Sequence, residues 1–253
     1  MARILVNGVH LNVETAGSGR PLLLVHGFPL DHRMWRRQFD EFSRTNRVIA
    51  PDLRGFGKSD VTRGTVTMER FADDLAGLLD ALHVYEPVVF CGLSMGGYIG
   101  WQFVRKHAKR VRGLVLCDTR SVADSEEARR LRMKTAADVL ASGPGAIAEA
   151  MLQRMLASST FAHRSEIVEE LRASILSQSS EAVAAASRGM AERPDVQELL
   201  PRIEAPSLVI VGEHDAISPP AEMEQIAQGI PGAAYVVIPD AGHMTPLEAP
   251  AAF

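Results

Sequence analysis

The sequence predicts an α/β fold in which a mostly parallel, doubly wound sheet is interrupted by an inserted helical cap. Continuous apolar runs at Pro21 to His26, Arg47 to Pro51, Glu86 to Cys91, Val111 to Cys117 and Pro206 to Val211 have the character of parallel strands covered on both faces. Helical periodicity fills the segments between the earlier runs, which gives a repeated β-α-β order. From about Thr119 to Leu200 that alternation stops. Only helical patterns remain there, separated by Gly143-Pro144-Gly145, Ser158-Ser159-Thr160 and Arg193-Pro194-Asp195.

Val9 to Glu14 alternates polar and apolar residues, as an exposed antiparallel strand does. Met34 to Phe42 and Met68 to Leu82 read as helices, the second placing Phe71, Leu75, Leu78, Leu79 and Leu82 on one face. Pro87 to Phe90 supplies a short strand that runs through a glycine-flanked serine into a helix containing Tyr98, Trp101, Gln102 and Arg105, where Gly97 and Gly100 permit close packing on a sheet. Val209 to Asp215 and Ile238 to His243 are strands that end in polar turns. The division is a core of residues 1–118 and 201–253 and a cap of residues 119–200, whose charges of both signs nearly balance, as expected of helices with solvated outer faces. No internal repeat or low-complexity segment is present.

With 253 residues, 46% hydrophobic and 23% charged, the chain can bury the core of one α/β domain with an insertion. A net charge of -4 and the lack of a basic run give no electrostatic basis for a nucleic-acid partner. Cys91 and Cys117 lie in apolar runs and read as small buried thiols, which suits a reducing cytoplasm. The N-terminal residues reach a polar position too soon for a signal peptide. Pro87 to Val104 is uncharged and approaches the length of a membrane span, but its glycines, Ser94 and Gln102 fit a strand-turn-helix. The expectation is a soluble, cytoplasmic protein with no membrane partner.

Gly92-Leu93-Ser94-Met95-Gly96 has the G-x-S-x-G pattern of a nucleophile elbow, a turn so tight that glycines two residues either side avoid collision. Such a turn lifts the Ser94 hydroxyl into a cleft. It also aims the Met95 N–H and the positive end of the following helix at the point where an oxyanion forms. A serine hydroxyl is a poor nucleophile near neutral pH, so it needs a base, and the base needs a partner that fixes its tautomer. The turns at Asp215 and His243 supply an acid and a base, in the chain order Ser94, Asp215, His243.

On these residues the chain resembles the α/β-hydrolase superfamily, over nearly its whole length. His26-Gly27-Phe28-Pro29 matches the oxyanion-loop motif, and Asp52-Leu53-Arg54-Gly55-Phe56-Gly57-Lys58-Ser59 matches the D-x-R-G-x-G-x-S loop. Gly212-Glu213-His214-Asp215 and Gly242-His243 match the acid and histidine segments. The resemblance implies that the Phe28 N–H is the second oxyanion donor and that a closing helix begins near Met244. It also brings in Asp118 as a rival acid, because some members take it from that strand end. Serine at the elbow departs from the aspartate of haloalkane dehalogenases and epoxide hydrolases, and Leu93 and Met95 depart from the G-G-S-W-G of proline iminopeptidases. The elbow together with Leu114 to Thr119 looks most like small carboxylesterases and 3-oxoadipate enol-lactonases. The implied function is cofactor-free hydrolysis of a small-molecule ester or lactone through an acyl-enzyme. Two alternatives are a cofactor-free haloperoxidase or perhydrolase on the same triad and, in a different class, a hydrolase-fold receptor for a small ligand.

Trp35, Met151, Met155 and Met244 are the candidate substrate-binding residues, forming with Phe28, Met34 and Met95 an adaptable acyl pocket. His26, directly before Gly27, reads as an organiser of the oxyanion loop. His214 beside Asp215 invites a metal, but neighbours on extended backbone point apart and no H-x-x-x-H or C-x-x-C partner exists, so no metal site is expected. His10, His32, His83, His107 and His163 read as surface residues. Gly55 to Ser59 resembles the tail of a phosphate-binding loop, yet Asp52 stands where that loop needs glycine and no helix follows, which excludes nucleotide binding.

Overall fold

A computed structural model describes residues 1–253. Strands β1 (Ala2–Val6) and β2 (Val9–Ala16) form an antiparallel hairpin. Its turn is Asn7-Gly8 with φ of 48° and 81°, the double positive φ that a two-residue type I′ turn requires. There follow β3 (Arg20–Val25), a 3-10 turn over His32–Trp35, α1 (Arg36–Phe42), β4 (Asn46–Pro51) and α2 (Met68–Ala81). The helix predicted from Met34 is thus split. Asp31 accepts the Arg33 N–H and starts the 3-10 turn, and the α-helix begins only at Arg36. Thr67 caps α2 by accepting from Arg70 N.

The chain continues through β5 (Val88–Leu93), α3 (Met95–His107) and β6 (Val111–Cys117). Between β6 and the next strand stand α4 (Glu126–Ser142), α5 (Gly145–Met155), α6 (Ser158–His163), α7 (Ser165–Leu176) and α8 (Ser180–Ala191). The core resumes with β7 (Ser207–Gly212), α9 (Pro220–Gly229), β8 (Ala234–Ile238) and the single turn α10 (Thr245–Glu248). The sheet order is β1-β2-β4-β3-β5-β6-β7-β8, antiparallel at β1-β2 and β2-β4 and parallel from β4 to β8.

Alternate residues of the parallel strands feed two cores. Leu23, Val25, Phe90, Leu116 and Val209 pack with α2, α3 and α9 on one face. Leu24, Cys91, Cys117 and Ile210 pack with α1, α10, α5 and α7 on the other. This double cover is why the strands read as unbroken apolar runs. Cys91 and Cys117 are free, buried thiols with sulfurs 3.9 Å apart. No helix is long and apolar enough to cross a membrane. The cap is anchored to the core through Gln178 between α7 and α8, whose amide donates to Asp31 Oδ2 (3.0 Å) and accepts from Gly57 N (2.9 Å).

Candidate active site

Ser94 joins β5 to α3 with φ 55° and ψ −111°, a conformation sparsely populated for any residue with a Cβ. The surroundings enforce it. A Cβ on Gly92 would stand 2.4 Å from Gly96 O, and one on Gly96 would stand 2.3 Å from Val25 O. Ser94 N donates to Cys117 O (2.9 Å), and Ser94 O accepts from the Thr119 hydroxyl (2.8 Å) and from Gly97 N (2.9 Å). The backbone is therefore pinned to β6. The hydroxyl makes no side-chain hydrogen bond within the protein and faces a cavity of about 360 Å³ lined also by His243, Phe28 and Tyr98.

Asp215 follows β7, and His243 follows β8, the neighbouring strand. His214 N donates to Ala241 O (2.8 Å), which holds the two turns side by side. His243 Nδ1 lies 2.8 Å from Asp215 Oδ2, with both side chains buried. The other carboxylate oxygen, Oδ1, accepts from Ile217 N (2.7 Å) and Ser218 N (3.0 Å). Burial pushes the Asp215 carboxyl up, but the charge and hydrogen bond of His243 and these two N–H donors outweigh it and hold the group below its ordinary range.

Asp118 directly follows β6 with φ 47°, fully buried. Its Oδ1 accepts from Gly212 N (2.9 Å) and its Oδ2 from the Thr245 hydroxyl (2.5 Å), and it makes no hydrogen bond to His243. Burial, followed by the neighbouring Asp215 charge, pushes its carboxyl well above the ordinary range. Asp118, Asp215 and His243 lie close enough together to hold a metal, as do buried Asp31, His32 and Asp52. The exposed trio Glu213, His214 and Asp240 is equally close. Asp240 arrives from the turn after β8, a juxtaposition the local spacing does not reveal.

His26 is buried beneath the oxyanion-loop segment. Leu53 N donates to its Nε2 (3.0 Å), which leaves Nδ1 to donate to Gly27 O (2.9 Å). Burial lowers its pKa, consistent with a neutral ring that organises the loop. Phe28 stands edge-on to Phe56 and lines the cavity, and the Phe28–Pro29 peptide is cis. Met95 is the first residue of α3.

Among the expected substrate contacts, Met151 and Met155 on α5 do line the cavity. Trp35 and Met244 do not. Both are fully buried in the core beside α1 and α10, with the Trp35 ring against Phe253. His32, expected at the surface, is also buried, its Nδ1 2.5 Å from Asp52 Oδ1. Asp52 in turn accepts from Asn12 Nδ2, Lys58 N and His32 N, so it braces the D-x-R-G-x-G-x-S loop internally.

The sequence reading passes over Tyr98 as a lining residue. It lies four positions after Ser94 on α3, hence on the same helical face, and that spacing is the signal that finds it. The Arg193 guanidinium covers the Tyr98 ring at 4.2 Å and pairs with Asp124 (2.6 Å). Ile147 from α5 and Thr135 from α4 line the cap side of the cavity, with exposed Leu131 of α4 at its rim. They carry no local signal, because their facing is set by how the cap docks.

The family model of the alpha/beta hydrolase fold matches residues 20–250. A 3-oxoadipate enol-lactonase of Acinetobacter baylyi is 29% identical over 97% of this chain and 90% of its own. Among solved structures, a thermophilic esterase from Thermogutta terrifontis superposes with a TM-score of 0.96 at 51% identity, covering 98% of this chain and 93% of the esterase. The enol-lactonase of Burkholderia xenovorans gives 0.91 at 31% identity, covering 98% and 95%. With the family model spanning strands β3 to β8, the elbow and the helices between them, this chain belongs to the alpha/beta hydrolase fold family.

Proposed function

We propose that the protein is a serine hydrolase of small carboxylic esters or lactones, with Ser94 as nucleophile, His243 as general base and Asp215 as the acid that orients it. The observation that carries this reading is the 2.8 Å contact of buried Asp215 with His243 Nδ1, at the wall of the cavity that strained Ser94 also lines. Esterase and enol-lactonase relatives of nearly equal length support it.

In this reading, the Asp215 carboxylate keeps the imidazole proton on Nδ1, so Nε2 is free to take the Ser94 proton as Oγ attacks the carbonyl. The N–H groups of Met95 and Phe28 receive the developing oxyanion, with the positive end of α3 behind Met95. His243 then protonates the departing alkoxide, and the alcohol, or the open end of a lactone, leaves Ser94 acylated. Water follows, loses a proton to the same imidazole and releases the acid. These steps use only the named residues and water. The cavity volume lies at the lower end of the range for small-molecule sites, about 300–1,000 Å³, which favours short acyl groups packed against Met151 and Met155.

Purified protein should turn over p-nitrophenyl acetate or butyrate, and Ser94→Ala should lower kcat by at least about 10³-fold. Equal rates in the two folded proteins would remove Ser94 from the reaction.

A further inference from the structure

The loop that carries His243 is bonded directly to the cap. His243 N donates to Met155 O (2.9 Å), at the end of α5. Glu248, buried at the end of α10, adds a second set of bonds. Its Oε1 accepts from Gly242 N (3.0 Å) and Met244 N (3.1 Å), the residues on either side of His243. Its Oε2 accepts from Ala157 N (2.9 Å), in the cap segment between α5 and α6. Arg164, which follows α6, donates to the Glu248 carbonyl. A Cβ on Gly242 would stand 2.5 Å from Ala157 N and 2.8 Å from Leu156 C, so only glycine lets the two backbones approach this closely.

Glutamate is rarely buried unless its oxygens are satisfied. Here the three donors divide into two flanking His243 and one from the cap. We propose that Glu248 is a positioning residue: its carboxylate clasps residues 242–244 to residues 155–157, so that His243 keeps its working geometry only while the cap is seated. The inference rests on the reading of His243 as the general base. It also links the two walls of the cavity, because Met151 and Met155 belong to the same helix, α5, that Glu248 ties to the base.

Glu248→Gln separates the two halves of the clasp. Its amide oxygen can still accept from Gly242 and Met244, but its amide nitrogen then faces the Ala157 N–H, donor against donor. In the folded variant kcat for p-nitrophenyl acetate should fall about 10- to 100-fold with KM little changed, the scale of loss that follows a small misplacement of a reacting group. Hydrogen exchange should accelerate at Ala157, in the cap. Glu248→Ala, which removes all three acceptors, should lose more and should also expose Gly242 and Met244 to exchange. Leu79→Ala, a core truncation under α2, provides the control for a general loss of stability and should leave kcat and these three amides unchanged at temperatures below its transition. Wild-type kcat in folded Glu248→Gln beside an inactive Ser94→Ala, or unchanged exchange at Ala157, overturns the clasp and leaves the catalytic reading intact. An equal loss of kcat in Leu79→Ala also overturns it. If Ser94→Ala stays active, the catalytic reading itself fails.

Discussion

Replacing Asp215 by asparagine tests the acid assignment through hydrogen-bond polarity. Two backbone N–H groups, from Ile217 and Ser218, point at Oδ1, while Oδ2 faces His243 Nδ1 at 2.8 Å. The asparagine oxygen must take the Oδ1 place, because the flipped amide would leave two buried donors unpaired at about 1–3 kcal/mol each. The amide nitrogen therefore faces the imidazole and donates to Nδ1. That forces the ring proton onto Nε2, the nitrogen that accepts from Ser94 in the proposed mechanism. The expected loss is about 10⁴-fold in kcat, the cost of the same exchange in serine-protease triads, or about 5 kcal/mol of transition-state stabilisation.

Asp118→Asn is the matched comparison. Its Oδ1 equivalent can keep Gly212 N, and its amide nitrogen can donate to Thr245 Oγ1, whose hydroxyl can rotate to accept. Because burial and the Asp215 charge already favour the neutral carboxyl at Asp118, a neutral amide disturbs the local electrostatics little. Its kcat should stay within about tenfold of wild type, a change of about 1.4 kcal/mol or less. Initial rates with p-nitrophenyl butyrate, and circular dichroism to establish folding, decide between the two. Folded Asp215→Asn with most of its activity, beside an inactive folded Asp118→Asn, would refute the assignment and transfer the role of acid to Asp118.

Arg54→Met should cost about 3–5 kcal/mol, because it strands the buried Asp74 carboxylate that now holds the guanidinium at 2.6 and 2.7 Å; at about 2–4 °C per kcal/mol, thermal melts should show a fall of roughly 10 °C, and an unchanged transition would contradict the pair's role. A second expectation concerns acid: burial pushes Asp52 up, but the hydrogen bond and charge of His32 and the Lys58 and His32 N–H groups hold its pKa at about 2, below the ordinary 3.8. A depressed carboxyl stabilises the fold above its unfolded value, so Asp52 should contribute about 2 kcal/mol near pH 5 and lose it as pH falls from about 4 towards 2. The partner's pKa is raised, because the Asp52 hydrogen bond and charge overcome burial, so His32 contributes below pH 6.5 and loses its share as pH climbs through its folded value. These are two descriptions of one pair and do not add. Urea midpoints of wild type and Asp52→Asn should converge between pH 5 and pH 2.5, and a constant separation would exclude this account.

The parallel strands are legible because their burial on both faces leaves a local trace. Val111–Cys117 appears at its predicted bounds, and β3, β4, β5 and β7 shift by one or two residues, whereas β8 (Ala234–Ile238) ends where the predicted strand Ile238 to His243 begins, because this edge strand exposes Val236 and Val237 and leaves no buried apolar run. The elbow is legible for the same kind of reason, since steric demand at Gly92 and Gly96 restricts which residues can stand there. β1 leaves no such trace. It is an edge strand with Leu5 exposed and only Val6 buried, so no apolar face marks it, and its one signal is the Asn7-Gly8 turn. The buried position of His32 is equally invisible, because the carboxylate that holds it arrives from the end of a different strand, twenty residues further on.

The cavity beside Ser94 separates what sequence adjacency can predict from what docking decides. Met244 follows His243 directly, yet it enters the turn α10 with φ −103° and ψ 51°, so adjacency in the chain does not bring it to the cavity: His243 faces Asp215 and the cavity, whereas Met244 packs into the core with Leu247. The i+4 rule on α3 would have placed Tyr98 beside Ser94. That argument does not extend to α4 and α5. On α4, Leu131, Met133 and Leu140 are all exposed while Ala136 and Val139 are buried, and Leu131 with Thr135 reaches the cavity, so the apolar residues of this helix do not share one side. A helix whose apolar residues are not gathered on one side gives no facing from its own sequence. If the proposed function holds, differences in substrate choice among chains that share this elbow should accordingly arise at cavity-lining positions of α4 and α5 outside the core beneath the sheet, such as Leu131, Thr135 and Met151, rather than at Ala148, Leu152 and Met155, which pack with the strands.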